Sequence, residues 1–544
     1  MSPSVHKVCT KNIASPQILF LFQLSATLKG IMCGIVAIIG DGGNTSPLDE
    51  LARSMLMSIS HRGDADKAGS VDSPAPHVCL GCNRLAIVAR DNAKQPMSLS
   101  DGSVSITFNG EIYNYQSLQK ELEQLGHTFL IGSDTEVLLH AYKQWSTDML
   151  PRLDGMFAFV VYDRERNVHF AARDPMGVKP LYKCASEGLI VFASEMKALL
   201  KCGGAIEEIP PGHYELGGTK GRYFELKRHD LQMSDAQMVE RFKDLFDKAV
   251  ARRVQTDLPV AMIFSGGIDS SAVLGFALRH NPNITAVSMG FEGSPDLEFA
   301  TRFCKERGVK QVIRHLDLEE LKSDLSQIVF YAETFEQTDI TDGILMSNAY
   351  KTAAELGFKV ILTGDGSDEY LAGYDLFKQS TEPEKLMEYR VGNLYRTDLQ
   401  RLDRCTMRYS LEARSPFMDK ALVEFGYSVP MQLKIKNGVE KWILREACRE
   451  LLPDYMRNRR KVRTPQGTGL LFRLKEYMDS LDAGVSPDIL AKLQITSPGE
   501  RYLLSKYLEF GYPLPEVRHR KLGLDFHQDG YWVFEDLSAV HQEQ

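Results

Sequence analysis

The sequence predicts two architectures in one chain: a strand-rich α+β half, then an α/β half on a parallel sheet that runs into a mostly helical end. Three observations predict this. Short β-branched and aromatic runs closed by turn residues crowd the first part, up to about residue 225. Strands and helices then alternate between residues 234 and 362. The 544 residues leave room for two to four domains at about 100–200 residues each.

The elements follow in order. Cys33 to Ile39 is apolar and ends at Gly40-Asp41-Gly42, a buried strand and its turn. Residues 104–108 alternate and reach Asn109-Gly110, which reads as a strand running into a turn. Phe157–Tyr162 and Val168–Ala172 form a strand pair about a polar turn, and 189–193 and 212–216 read as further strands. Helical spacing occurs at 48–60, 114–125 and 134–145. The pattern changes across residues 217–232, where Gly-Gly-Thr-Lys-Gly-Arg intervenes. An amphipathic helix over 234–254 follows. Strands at 258–264, 284–289, 312–316 and 359–362 then alternate with helices at 271–279, 296–307 and 349–356. The chain from about 380 reads as mostly helical.

Composition sets the class. Lys+Arg is 64 against Asp+Glu 72, a formal net charge of −8, with 43% hydrophobic and 25% charged residues. These values exclude collagen-like, mostly disordered and polytopic membrane chains, and no basic excess marks a nucleic-acid binder. Nine scattered cysteines suit a reduced, cytoplasmic protein. Cys79 and Cys82 form one C-x-x-C with no second pair, which reads as two small core or surface residues rather than a zinc site.

Six motifs then occur in order: Met32-Cys33-Gly34-Ile35, Arg84-Leu85-Ala86-Ile87-Val88, Asn109-Gly110-Glu111-Ile112-Tyr113-Asn114, Gly132-Ser133-Asp134-Thr135-Glu136, Leu153-Asp154-Gly155-Met156-Phe157-Ala158 and Arg173-Asp174-Pro175-Met176-Gly177. In these the sequence resembles the class II glutamine amidotransferase domain over about residues 32–200. The resemblance implies an N-terminal-nucleophile (Ntn) hydrolase fold, an αββα sandwich, with Cys33 as the first residue of the active chain. A thiol of pKa about 8.5 would be activated by its own α-amine of pKa about 7.7–8. By the same resemblance Asn109 and Gly110 supply the oxyanion donors. Arg84, Val88, Asn109, Glu111 and Asp134 hold glutamine, with Arg84 on its α-carboxylate and Glu111 and Asp134 on its ammonium. Asp64-Ala65-Asp66 after His61-Arg62-Gly63 departs from the family pattern.

The strand at 258–264 ends in Ser265-Gly266-Gly267-Ile268-Asp269-Ser270-Ser271 and then a helix. Two glycines, hydroxyls and a helix N-terminus suit phosphate capture. The loop resembles the PP-loop of enzymes that cleave ATP between the α- and β-phosphates. Thr363-Gly364-Asp365-Gly366-Ser367-Asp368-Glu369, Leu411-Glu412-Ala413-Arg414-Ser415-Pro416-Phe417 and Lys441-Trp442-Ile443-Leu444-Arg445 extend the likeness to the asparagine synthetase family, over about residues 32–470. That implies an adenosine site of Phe264, Met289, Thr363 and Gly364. It implies a pyrophosphate side of Ser265, Gly266, Gly267, Asp269, Ser270 and Ser271, and Mg²⁺ at Asp269 and Asp368. Asp365 stands where the family often has Glu, near the acyl-adenylate, and Lys461 matches a lysine that stabilises the pentavalent α-phosphate. The family usually grips aspartate with an Arg in the segment corresponding to 336–345. Here no Arg occurs between Arg314 and Arg390.

The resemblance thus implies an ATP-consuming, Mg²⁺-requiring ligase. Glutamine is hydrolysed at Cys33, the side-chain carboxylate of aspartate is adenylated, and ammonia displaces AMP. The missing Arg keeps a different carboxylate acceptor as an alternative, and an inactive scaffold is a third reading. The expected partners are small molecules only, with no nucleic acid and no membrane; a homodimer stays open, because no pattern encodes the oligomeric state. The expected division is a leader at 1–31, a glutaminase domain at 32–225 and a synthetase domain at 232–544. The leader has no Asp or Glu. It reads as absent from the active chain through a start at Met32, with an organellar transit segment as the alternative.

Overall fold

The structure, a computed structural model, describes residues 33–42, 48–63, 69–84, 92–460, 462–481 and 483–515. The expectations for residues 1–31, Asp64-Ala65-Asp66, Val88 and Lys461 lie outside the described residues.

The first half is a sandwich of two antiparallel six-stranded sheets. One sheet runs β10 (Ile206–Glu208), β8 (Tyr182–Ser186), β9 (Leu189–Ala193), β1 (Gly34–Gly40), β3 (Val78–Asn83), β2 (Ser70–Ala75). The other runs β12 (Thr219–Arg222), β11 (His213–Leu216), β7 (Val168–Arg173), β6 (Gly155–Asp163), β5 (Val104–Ile112), β4 (Met97–Ser98). Period-two alternation sorts the side chains into layers. Ile35 and Ala37 of β1 meet Leu80, Cys82, Ala158 and Val160 between the sheets. Val36 and Ile38 face outward onto Leu48, Ala52 and Met55 of helix α1 (Leu48–Ser58). On the far side Phe157, Phe159 and Val161 pack on helices α2 (Tyr115–Gln124) and α3 (Asp134–Trp145) through Leu118, Val137 and Leu138. The order of layers is helix, sheet, sheet, helix, the αββα sandwich expected.

The sequence misreads one feature here. Asn109-Gly110 is no turn: both lie inside β5, opposite Ala158 and Phe157 of β6. Gly110 has φ +151°, and a Cβ there would collide with the Met156 carbonyl oxygen. The dipeptide serves close strand approach rather than chain reversal.

The second half follows helix α4 (Asp235–Val254), whose Ser234 and Gln237 form a capping box. Its sheet is fully parallel, in the order β15 (Lys310–His315), β14 (Thr285–Gly290), β13 (Val260–Ile263), β16 (Val360–Leu362), β17 (Glu412–Arg414). Chain order reverses direction between β13 and β16. That is the switch point, where ligands bind at the carboxyl ends of the strands. Helices α5 (Ile268–His280), α6 (Pro295–Arg307), α7 (Leu318–Ala332) and α8 (Gln337–Glu355) connect or cover the strands, and the rest is largely helical. Helix α8 is far longer than the 349–356 segment legible by spacing. It is buried nearly all round, so it has no polar face to set a period. No helix among the described residues is long and apolar enough to cross a membrane.

A buried charge network joins the halves. Arg62, wholly buried, donates to Glu195 at 2.6 Å, to Asp403 at 2.7 and 3.1 Å, and to the Cys33 carbonyl at 3.2 Å. Lys197 pairs with Glu333 at 3.0 Å, and Arg404 with Glu333 at 3.0 Å. Such a network is stable only when every charge is matched. It therefore fixes β1, and with it Cys33, against the second half.

Candidate active sites

Cys33 sits at the entry to β1, buried, with its side chain on the inter-sheet face. Gly34 pairs with Asn83, the last residue of β3, so Arg84 follows one step beyond, beside Cys33. From the opposite sheet, β5 brings Asn109, Gly110 and Glu111. The Asn109 amide is fully buried, and neither its Nδ2 nor its Oδ1 has a hydrogen-bond partner. A buried unpaired amide costs about 1–3 kcal/mol. The Asn109 Nδ2 can serve as a donor for an oxyanion formed beside it.

The acids lie together. Asp134, at the start of α3, accepts from the Thr135 N–H at 2.8 Å and the Ile112 N–H at 3.4 Å. Burial pushes its pKa up to about 6. Burial also drives Glu111 well above the usual carboxylate range, reinforced by Glu412 and opposed by Arg414. Arg414 reaches from β17 to Glu111 at 3.5 Å and to Glu412 at 2.6 Å. Glu111 and Glu412 thus share the Arg414 cation, and the buried Asp134 carboxylate lies near enough to feel the charge of Glu412. The pocket is short of positive charge, which a substrate ammonium would supply.

The second site forms at the switch point. The loop after β13 turns at Gly266, φ +72°, where a Cβ would stand 2.9 Å from both the Asp296 carbonyl and the Ala300 nitrogen of α6. Ser265 and Ser270 hydroxyls lie 3.1 Å apart, and Ser265 accepts from the Gly267 N–H at 3.3 Å. Gly267 caps α5, so Asp269, Ser270 and Ser271 occupy its first turn. The Ser271 and Thr363 hydroxyls are buried without partners. Phe264 is buried and donates its N–H to Val287, its ring against Phe303 at 5.5 Å, and Met289 lies on the neighbouring strand β14. Thr363 and Gly364 leave β16 directly beside the loop, with Gly364 packed on the backbone of Asp269 and Ser270. Arg459 donates to the Gly266 carbonyl at 2.8 Å and pairs with Asp296 at 2.5 Å, which ties Arg459 to this loop.

Sequence reasoning assigned no role to Lys441. It is fully buried and holds the unusual φ +53°. Its Nζ lies 2.6 Å from Asp269 Oδ1, 2.6 Å from Asp368 Oδ1 and 2.9 Å from Ser367 Oγ. The two aspartates therefore converge on one cation position, and this donor set fits a divalent ion completed by phosphate oxygens. Among the described residues no group of three or more His, Cys, Asp or Glu forms a metal cluster.

Arg401 also escaped the sequence reading. Its Nη2 donates to Asp365 at 3.0 Å and Asp398 at 3.3 Å, while its buried Nε has no partner. Across from it, Arg463 pairs with Asp342 of α8 at 2.9 Å. The Tyr350 hydroxyl is buried without a partner and lies close enough to Asp365, Arg401 and Asp342 to feel their charges.

The chain matches the model of the glutamine amidotransferase domain over residues 32–213 and that of asparagine synthase over 241–388 and 378–512. A Dictyostelium discoideum protein named as a probable glutamine-hydrolysing asparagine synthetase is 31% identical over 530 residues, covering 89% of this chain and 94% of that one. Asparagine synthetase 2 of Arabidopsis thaliana, also named glutamine-hydrolysing, is 31% identical and covers 86% and 84%. This chain belongs to the asparagine synthetase family. A solved B. subtilis glutamine phosphoribosylpyrophosphate amidotransferase superposes with a TM-score of 0.30 at 18% identity, over 52% of this chain and 65% of that one. The family assignment joins both pockets to one reaction class, and Asp134 gives an early test. Its raised pKa means the folded chain holds the proton more tightly than the unfolded chain. That stabilising contribution is full below about pH 3.9 and is lost as pH rises through about 6. If the ionised form grips glutamine, KM for glutamine climbs about tenfold per pH unit below 6. In Asp134→Asn, KM is high and flat in pH while stability at pH 8 increases. Glutaminase assays and denaturation across pH 5–8 check both.

Proposed function

We propose that the chain is a glutamine-dependent asparagine synthetase in which β17 lies between the two half-reactions. One observation carries the reading: the Arg414 side chain is 3.5 Å from Glu111 in the glutamine pocket, while its carbonyl accepts the Thr363 N–H beside the PP-loop. Ser415, the next residue, bonds the Asp365 carbonyl at 2.6 Å. The pockets are neighbours across one strand, which suits a short, water-excluding passage for ammonia.

In the form that begins at Cys33, the α-amine takes the thiol proton and the sulfur attacks the glutamine side-chain amide. The Asn109 amide and the Gly110 N–H receive the oxyanion, ammonia leaves, and water releases glutamate from the thioester. Arg84 holds the α-carboxylate; Glu111 and Asp134 hold the ammonium. In the second pocket Ser265–Ser271 cradle the pyrophosphate of ATP, and Thr363, Gly364, Phe264 and Met289 border the adenosine. Asp269 and Asp368 would hold Mg²⁺, which when bound neutralises phosphate charge. The aspartate β-carboxylate attacks the α-phosphate and pyrophosphate leaves, Lys461 offsetting the added charge; ammonia then attacks the acyl-adenylate, gives up a proton to Asp365 and displaces AMP. The compartment we assign is the cytoplasm, on the low density and scattered placement of the nine cysteines.

Arg401 answers the absence of an arginine in α8. It stands beside Asp365 with an unused donor, so it offers the cation for the acceptor α-carboxylate from another helix, Asp398–Met407. Asp342 is placed to receive the acceptor ammonium. A carboxylate-acceptor screen followed by AMP release tests the reading: aspartate should be used, with asparagine as product. Arg401→Met should raise KM for aspartate by about 30-fold or more, a loss of about 2 kcal/mol. It should leave glutamine hydrolysis unchanged. A screen in which another carboxylate alone releases AMP rejects aspartate.

A further inference from the structure

The cysteine pair Cys79 and Cys82 splits in the structure. Cys79 pairs with Ile38 and faces helix α1 in the outer layer. Cys82 pairs with Ile35 and faces the inter-sheet layer, the face Cys33 shares two residues before Ile35. Cys33 and Cys82 are therefore diagonal neighbours on adjacent antiparallel strands. The Cys82 thiol interacts with both the Cys33 thiol and the Thr107 hydroxyl. Cys82 is 1% exposed and Cys33 7%, and both are thiols rather than a disulfide. Nothing in the amidotransferase reading requires a second thiol at this place.

We propose that Cys33 and Cys82 form an oxidative modification site, a dithiol that a peroxide closes to a disulfide. The proposal rests on Cys33 being the activated nucleophile of the reading above. A pocket that admits glutamine to Cys33 admits the smaller peroxide. The Cys33 thiolate attacks one oxygen of the peroxide ROOH and takes one proton. This breaks the O–O bond, gives the sulfenic acid Cys33–SOH and releases ROH. The Cys82 sulfur then attacks the sulfenic sulfur; its proton and the departing hydroxide leave as water. In sum two thiols and one peroxide give one disulfide, ROH and water. The thiols lose two electrons and the peroxide gains them.

Geometry favours this pair. Diagonal Cβ atoms stand within about 7–8 Å across a sheet, and a disulfide needs about 3.5–4.5 Å. Cys33 precedes the first register pair, Gly34–Asn83, so only a strand end has to close the gap. A second pair among the described residues, Cys184 with Cys202, lacks an activating amine, and burial pushes Cys202 up to about 12. Oxidation at the Cys33–Cys82 pair blocks glutamine hydrolysis and leaves the PP-loop site untouched. It also shields Cys33 from irreversible oxidation to the sulfinic acid.

The test uses the full active protein. Reduced enzyme is assayed for glutamine hydrolysis, treated with hydrogen peroxide, alkylated and digested without reductant. The expected product is a disulfide joining the Cys33 and Cys82 peptides. Glutaminase falls about tenfold or more and returns with dithiothreitol, while ammonia-driven AMP release is preserved. Cys82→Ser should hydrolyse glutamine normally before treatment. Peroxide should then inactivate it without recovery, with Cys33 found as sulfinic acid. Wild-type Cys33 oxidised to the sulfinic acid with Cys82 still alkylated overturns the proposal, as does equal recovery of wild type and Cys82→Ser. Reduced enzyme with no glutaminase activity would instead contradict the amidotransferase reading, and the peptide map would still decide the pairing.

Discussion

Cys33→Ala will lose glutamine-dependent synthesis by on the order of 10⁴-fold or more, the scale of removing a catalytic nucleophile. Ammonium salts will restore asparagine formation at close to the wild-type ammonia-driven rate. The reasoning is geometric. Cys33 lies in the inter-sheet layer, and its carbonyl accepts from Arg62, which in turn binds Asp403 of the second half. A truncated side chain leaves that bond and the Arg62–Asp403 pair in place. Parallel assays of AMP release with glutamine and with ammonium chloride check the result. Loss of both activities in a folded variant would contradict two separable sites.

Lys441→Met will destabilise the protein by about 3–5 kcal/mol in chelator, the cost of leaving buried charges without their partner. The variant keeps the side-chain length and deletes the ammonium that Asp269, Asp368 and Ser367 surround. With no cation between them the two aspartates repel. Because both converge on one point, millimolar Mg²⁺ should recover much of the loss, whereas wild type should respond little. Denaturant unfolding with EDTA and with Mg²⁺ measures this without any turnover. Equal stability of variant and wild type in EDTA would remove Lys441 from the account. No response of the variant to Mg²⁺ would remove the metal reading of Asp269 and Asp368.

Both residues show how far the sequence carries. Cys33 and the loop Ser265–Ser271 were legible because they sit in short ordered motifs at a strand entry and a strand-to-helix switch. The layers were legible too, since β1 and β6 alternate strictly between two cores. Lys441 was visible only as part of a motif. Its role depends on meeting Asp269, 172 residues earlier, a placement that local spacing cannot encode. Arg414 meets Glu111 across the junction of the halves in the same way. Arg401 lies on a buried helix and signals nothing until Asp365 is set beside it. Helix α8 hid for another reason: Thr338, Thr341, Asp342, Ser347 and Asn348 interrupt its apolar pattern. Asn109-Gly110 misled because the dipeptide most typical of turns is here a strand pair whose glycine allows contact with β6.

The central claim is that the aspartate side-chain carboxylate is adenylated at the PP-loop before ammonia from Cys33 arrives. Aspartate labelled with ¹⁸O in its β-carboxylate tests it most directly. With glutamine, ATP and Mg²⁺, one labelled oxygen should pass to AMP and the other should stay in the asparagine amide, with none in pyrophosphate. Unlabelled AMP, or label in inorganic phosphate or pyrophosphate, would contradict adenylation and the site assembled around Asp269, Asp365 and Lys441.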